Sequence, residues 1–239
     1  MNRQGQNYMA SLEGNSDLWG EKQPRKQRSE AAMFLAAIIT VLLISKSIDS
    51  WLLSNIGSVD IYSNTFVWLY TAAVCAPMAA YLWWLKKPLS VFGVTLKNWR
   101  QSLEEGVVIS GILLILGTFV LTVISKLEGG SLADSINWDW LKPETLAYIP
   151  HSIIQEFIFR GVVLATLLHL FRAHSLWLPL LLSNLLFSFM HMHLGIAAMA
   201  MTFLMGYLFS WMYLRHNSIL GISIMHMILG SAAFTFGVL

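Results

Sequence analysis

The stretch HSIIQEFIFRG, which begins at His151, places ionisable side chains inside an otherwise apolar sequence. Ser152, Glu156 and Arg160 follow one another at intervals of four, so a helix would present them on one face. Glu156 and Arg160 can then pair, which lowers the cost of burying either charge. Gln155 lies about 100° around the helix from Glu156 and one turn below His151. This pattern predicts either a site that faces the interior of a helix bundle or an ion pair that only joins helices.

A second apolar stretch, SNLLFSFMHMHLG, contains two histidines. Asn184, Phe187 and His191 share one helix face by their spacing. His193 is two residues further on and would point elsewhere if the helix continued. Gly195 is expected to end the helix, which would leave His193 near its outer end. A single histidine in an apolar helix is often only a packing residue, so His191 matters because it accompanies other polar groups.

A third stretch, GISIMHMILGSAAF, contains His226 near the middle of a predicted helix, with Gly230 one turn later. Small residues such as Gly230 let helices approach closely. A carboxylate such as that of Glu156 can take a proton from water while one histidine holds the water in place. A second histidine can stabilise the oxyanion that forms at a peptide carbonyl. A glutamate and two histidines on three helices therefore form a set of groups that could carry out acid–base chemistry at a carbonyl.

The composition indicates where these motifs lie. The chain has 239 residues, of which 56% are hydrophobic and 12% charged, whereas a soluble domain has about 25% charged residues. The single cysteine excludes an internal disulfide framework. The apolar runs predict an all-α, polytopic membrane protein with about seven transmembrane helices. We expect these helices near residues 31–53, 62–85, 105–126, 144–168, 175–195, 196–214 and 218–238.

Charge patterning predicts the domains and the topology. Residues 1–30 are polar and are expected to form a disordered cytoplasmic tail. Residues 31–143 would form the N-terminal transmembrane helices, and residues 144–239 the helices that carry the polar motifs. With the N-terminus in the cytoplasm and the C-terminus outside, the cytoplasmic segments hold eleven basic residues and the outer loops two. This bias follows the positive-inside rule and predicts a multi-pass protein of the cell (inner) membrane.

The order of the motifs QEFIFR, FSFMH and a mid-helix histidine followed by small residues resembles the CPBP family, the CAAX prenyl protease-like or lysostaphin-resistance-like intramembrane proteases. The family pattern is EExxxR, then FxxxH, then HxxxN or HxxxD, and the resemblance covers roughly residues 144–239. It implies that His191 helps to activate water and that His226 faces the oxyanion. It also implies that Glu156 and Arg160 form an orienting pair in a glutamate-dependent endopeptidase.

Two motif positions differ from the family pattern. Gln155 stands where the family has its first glutamate, and an amide is not a general base. Gly230 stands where the family has Asn or Asp. If the protein is a peptidase, we expect Glu156 to serve as base and His193 to supply a polar group. If it is not, the chain is a CPBP-like membrane scaffold or partner-binding protein.

Other functional classes fit the residues less well. A bis-histidine haem needs paired histidines near each interface, and only His191 and His226 lie deep in predicted helices. Zinc could use His191 and His193 with Glu156 or His226, but the chain has no HExxH motif. A proton-coupled transporter could use Glu156 and Arg160, but no inverted repeat accompanies them. We therefore expect no cofactor, with zinc as the remaining alternative. The expected partners are the lipid bilayer and a membrane protein or peptide substrate, not nucleic acid.

Overall fold

The structure, a computed structural model, describes residues 25–55, 64–86, 88–138, 146–171 and 176–237. In these ranges the chain forms helices and no strand, which confirms the predicted all-α class. The described helices are α1 (Arg25–Asn55), α2 (Asn64–Leu85), α3 (Trp99–Leu127), α4 (Tyr148–Phe171), α5 (Trp177–Met190), α6 (Ile196–His216) and α7 (Leu220–Thr235). By length and composition, α3, α4 and α6 could each cross a membrane, and α5 and α7 are shorter apolar helices. The protein is an all-α membrane protein.

Helix α1 begins before its predicted boundary at residue 31. It starts at Arg25, because Arg, Lys and Gln all have high helix propensities and continue the helix toward the N-terminus. Residues 25–30 of the predicted disordered tail are therefore helical, and residues 1–24 lie outside the described residues. Helices α1 and α2 contribute buried apolar residues, among them Ile38, Leu42 and Met78, to the core that also packs against α4.

Glycines bring α3 and α7 into close contact. A Cβ atom at Gly106 would lie 2.7 Å from the carbonyl oxygen of Gly221, and one at Gly221 would overlap the carbonyl oxygen of Ser102. The Gly221 amide donates a hydrogen bond to Ser102 Oγ at 3.2 Å. This bond satisfies one of the free N–H groups in the first turn of α7. The contact fixes the position of α7, which carries His226.

Part of the loop predicted at residues 86–104 is buried inside the protein. Val91 and Phe92 are buried, and a Cβ atom at Gly161 would lie 2.7 Å from the Phe92 carbonyl oxygen. The Ile219 amide donates to the Gly93 carbonyl at 3.0 Å. This segment therefore packs against the middle of α4 and is hydrogen-bonded to the residue that precedes α7.

Helix α4 changes its hydrogen-bond pattern in the middle. A π-helical stretch covers Phe157–Leu164, directly after Glu156, and includes Arg160. Such stretches are rare, usually only a single turn long, and frequently lie at functional sites. The wider turn does not separate Arg160 from Glu156, whose side chains remain in contact.

Helix α5 is shorter than the span predicted for residues 175–195. It ends at Met190, and the His191 amide closes its last turn by donating to the Ser188 carbonyl at 2.9 Å. A 3₁₀ turn over Met192–Leu194 follows. Gly195 adopts φ +95°, where an L side chain is strained, and lets the chain reverse into α6. The prediction that one helix continues to Gly195 is therefore wrong, and His191 lies just beyond the end of α5.

Candidate functional site

The carboxylate of Glu156 is the centre of the site. Its side chain has no exposed surface. His226 Nδ1 donates a hydrogen bond to Oε1 at 2.7 Å, and Arg160 Nη1 lies 3.2 Å from Oε2. An ionised carboxylate only accepts hydrogen bonds, so Nδ1 of His226 carries the hydrogen. The Glu156–Arg160 pair predicted from the spacing is present, and it extends to the histidine of α7.

Arg160 connects α4 to two further helices. Its Nη2 atom donates to the Gly206 carbonyl of α6 at 3.1 Å and to Asn184 Oδ1 of α5 at 3.4 Å. The Ser210 hydroxyl donates to the same Asn184 oxygen at 3.2 Å. The guanidinium carbon lies 4.1 Å from the centre of the Phe187 ring, in the geometry of a cation–π contact. Arg160 thus links α4 to α5 and α6 inside the protein.

His191 and His226 lie beside the same aromatic ring. The Phe187 ring centre is 4.8 Å from that of His191 and 5.7 Å from that of His226. His191 Nδ1 is 2.8 Å from the Phe187 carbonyl oxygen. A carbonyl only accepts, so Nδ1 donates, and in a neutral ring Nε2 is then the basic atom. The structure therefore places His191 at the site and identifies Nε2 as the nitrogen that can accept a proton.

Gln155 contacts His151 at the edge of the site. Its Nε2 atom lies 2.7 Å from His151 Nε2. In the described part of the chain, the other polar atoms of these two side chains, His151 Nδ1 and Gln155 Oε1, are buried without a hydrogen-bond partner. His193 is exposed in the turn after α5 and interacts with His151 electrostatically. Gln155 and His193 therefore lie toward His151, beside the buried Glu156–Arg160–His226 cluster.

Tyr148 is a site residue that the sequence reasoning missed. A Cβ atom at Gly230 would overlap the Tyr148 hydroxyl oxygen and lie 2.8 Å from Cζ. The Tyr148 ring centre is 6.0 Å from that of His226. The sequence pattern could have identified Tyr148, because it precedes Ser152 by four residues and so extends the polar face of α4 by one turn. The hydroxyl occupies the space beside Gly230 that a side chain at position 230 would need.

Gly206 was also missed, and here the sequence carries no distinguishing signal. A Cβ atom at this position would lie 2.6 Å from Asn184 Oδ1 and 3.2 Å from Arg160 Nη2. The glycine therefore gives Arg160 access to the backbone carbonyl of α6. An isolated glycine in an apolar helix looks the same whether it serves such a contact or ordinary packing.

The zinc ligand set considered from the sequence does not assemble in the structure. Across the described ranges, no three His, Cys, Asp or Glu side chains form a group that could hold a metal ion. The described polar groups instead offer a histidine backed by a carboxylate and a second histidine with a basic nitrogen. Such groups can polarise a carbonyl and accept a proton from water.

Comparison with known proteins gives a family match over part of the chain. Residues 138–231 match the family model described as type II CAAX prenyl endopeptidase Rce1-like. No curated protein and no solved structure matches the chain. The matched segment includes the QEFIFR, FSFMH and mid-helix histidine motifs. The resemblance based on these motifs is confirmed over residues 138–231, which match this family model.

Proposed function

We propose that this protein is an intramembrane endopeptidase that cleaves a membrane-associated protein or peptide, as CAAX proteases do. The observation that most supports the proposal is the buried contact of Glu156 with Arg160 and His226, beside Phe187 and His191. An ion pair within α4 that served only to stabilise packing would have no need of a histidine from α7. Intramembrane ionisable groups are expensive and are retained mainly where function requires them.

In the proposed reaction, His226 faces the carbonyl oxygen of the scissile bond. Glu156 accepts the Nδ1 hydrogen of His226, which orients the ring and places a carboxylate beside it. When both ring nitrogens carry hydrogen, His226 Nε2–H donates to the oxyanion. Glu156 Oε1 accepts from His226, and Oε2 lies 3.2 Å from Arg160 Nη1 in a side chain with no exposed surface. In place of the role as base that we expected from the sequence, we therefore assign Glu156 to positioning His226.

His191 is the proposed acceptor of the water proton. Its Nδ1 hydrogen is directed to the Phe187 carbonyl, so Nε2 can accept a proton from water as the water oxygen attacks the carbonyl carbon. When the C–N bond breaks, the same proton passes to the leaving nitrogen. The products are a carboxylic acid and an amine, and Gln155 takes no part in the proton transfer.

The test uses the purified full chain in proteoliposomes with a farnesylated peptide that ends in a CAAX sequence. We expect cleavage, detected by mass spectrometry, and a loss of roughly 10²–10⁴ in rate for His191→Ala. For Glu156→Gln we expect a loss of up to about 10⁴, as for other carboxylates that orient a catalytic histidine. Gln155→Ala is the matched control on the same helix turn and should have a much smaller effect. Thermal unfolding of each variant separates lost chemistry from lost folding. Equal cleavage by wild type and a folded Glu156→Gln variant would refute the role of Glu156.

The changes at Gln155 and Gly230 favour a second candidate, a non-catalytic scaffold that binds a membrane partner. A scaffold would not cleave, and Glu156→Gln would weaken partner binding or folding instead. Restoring the family residues distinguishes the two candidates. The variant must combine Gln155→Glu and Gly230→Asn with Tyr148→Ala, because an asparagine would overlap the tyrosine. Cleavage by this variant alone would identify the wild-type protein as a scaffold.

The proposal includes no bound metal and a location in the cell inner membrane with the N-terminus in the cytoplasm. We expect the purified protein to carry less than about one tenth of an equivalent of zinc, and chelators to leave its activity intact. A full equivalent of zinc that is lost in His191→Ala would contradict this and favour metal coordination.

A further inference from the structure

Helix α7 presents His226 and Gly230 on one face, one turn apart. At Gly230 no side chain can point from α7 toward the substrate. The Tyr148 hydroxyl fills this space from α4, since a Cβ atom at position 230 would overlap it. The polar group next to His226 is therefore present, but a different helix supplies it.

The surroundings of Tyr148 suit a group that acts on the substrate. Its ring meets the His226 ring edge-on, with an interplanar angle of 75° and a centre-to-centre distance of 6.0 Å. Phe234 also packs edge-on against the same tyrosine, with a centre-to-centre distance of 5.9 Å. Glu156 is near enough to interact with Tyr148 electrostatically. The hydroxyl is thus held at a fixed place beside the proposed oxyanion donor.

The geometry points to Tyr148 as a further catalytic residue, whose hydroxyl donates a hydrogen bond to the oxyanion alongside His226. This inference rests on the proposed function. As water attacks, the carbonyl π electrons move to oxygen, and the phenolic O–H donates to that oxygen without transferring its proton. The bond strengthens as charge develops, so it lowers the barrier more than it tightens substrate binding.

The proposal predicts a specific kinetic change in Tyr148→Phe, with the farnesylated CAAX peptide in proteoliposomes. The phenylalanine keeps the ring contacts with His226 and Phe234 and loses the hydroxyl, which is the proposed donor and also interacts with the Ser152 side chain. We expect kcat to fall by roughly 10²–10³ with little change in KM. A packing role alone would leave kcat nearly unchanged.

A rescue experiment separates the donor from the volume of the side chain. Tyr148→Ala opens the space beside Gly230, and combining it with Gly230→Asn supplies a donor from α7. Tyr148→Ala with Gly230→Leu fills the same space without a donor and is the matched control. We expect the asparagine variant to recover activity at least tenfold over Tyr148→Ala, and the leucine variant to recover none.

The results test the role of Tyr148 separately from the proposed peptidase function. If the wild type cleaves and folded Tyr148→Phe cleaves as fast, the assignment of Tyr148 is overturned while the proposed function stands. Equal recovery by the leucine and asparagine variants would also overturn it, because volume would then suffice. If the wild type does not cleave at all, the proposed function and the role of Tyr148 both fall.

Discussion

The contact between α3 and α7 predicts a large loss of stability in Gly221→Ala. A methyl group at this position would overlap the Ser102 carbonyl oxygen and lie 2.5 Å from Ser102 Oγ and 2.7 Å from its carbonyl carbon. Two of these atoms belong to the backbone and cannot rotate away. The helices would have to separate by more than about 1 Å to reach ordinary contact distances of about 3.5 Å.

The expected cost follows from two losses. Overpacking of a close contact typically costs about 1–3 kcal/mol. Separation also breaks the hydrogen bond from the Gly221 amide to Ser102 Oγ, which contributes about 0.5–1.5 kcal/mol. We therefore expect Gly221→Ala to lower the free energy of unfolding by about 2–4 kcal/mol. Because α7 carries His226, cleavage should fall together with stability.

The assay is reversible unfolding in mixed micelles, followed by tryptophan fluorescence. Gly117→Ala is the matched control, because it lies on α3 and a Cβ atom there meets nothing within 4 Å. Replacing this glycine should be neutral or should stabilise by up to about 1 kcal/mol through helix propensity. If Gly221→Ala unfolds at the same denaturant concentration as Gly117→Ala, α3 and α7 do not pack as described and the reasoning fails.

Three further predictions concern the charged residues and the topology. Arg160→Lys should lower the free energy of unfolding by roughly 3–5 kcal/mol, since an ammonium cannot reach the several acceptors that the guanidinium holds. An unchanged unfolding midpoint would argue against these Arg160 contacts. Glu105 contacts Arg215 at 2.9 Å at the partly exposed end of α3, so Glu105→Gln should cost less than about 1 kcal/mol in the same titration, and a larger loss would contradict the partly exposed setting. Reporter fusions at Leu239 and in the loop of residues 86–104 should report opposite sides of the membrane, whereas the same side for both would contradict the seven-helix layout.

The sequence predicted those features of the site that depend on local spacing. The four-residue interval from Ser152 to Arg160 sets the Glu156–Arg160 contact, because neighbours on one helix meet whatever the rest of the fold does. Apolar runs likewise predicted the helices, since length and composition decide whether a segment can span a bilayer. Both signals lie within a single helix.

Features that depend on contacts between helices could not be predicted in the same way. The partners of Arg160 on α5 and α6 are an amide and a backbone carbonyl, and a backbone carbonyl has no sequence signature. The burial of Phe92 depends on Gly161, far along the chain. In each case the determining atom belongs to another element.

The buried Arg160 has a consequence for how the chain enters the membrane during synthesis. Glu156 and Arg160 emerge from the ribosome before the partners that accept them, because Asn184, Gly206 and His226 follow later in the chain. Each charge at the centre of an unaccompanied helix costs roughly 2.5–3.5 kcal/mol on insertion scales. The Glu156–Arg160 pair within α4 offsets part of this cost, but a nascent chain that ends at Phe171 lacks the other groups that Arg160 and Glu156 contact. The polar network of α4 is therefore completed only when α5–α7 have been synthesised, which makes the last four helices a unit of assembly as well as of chemistry.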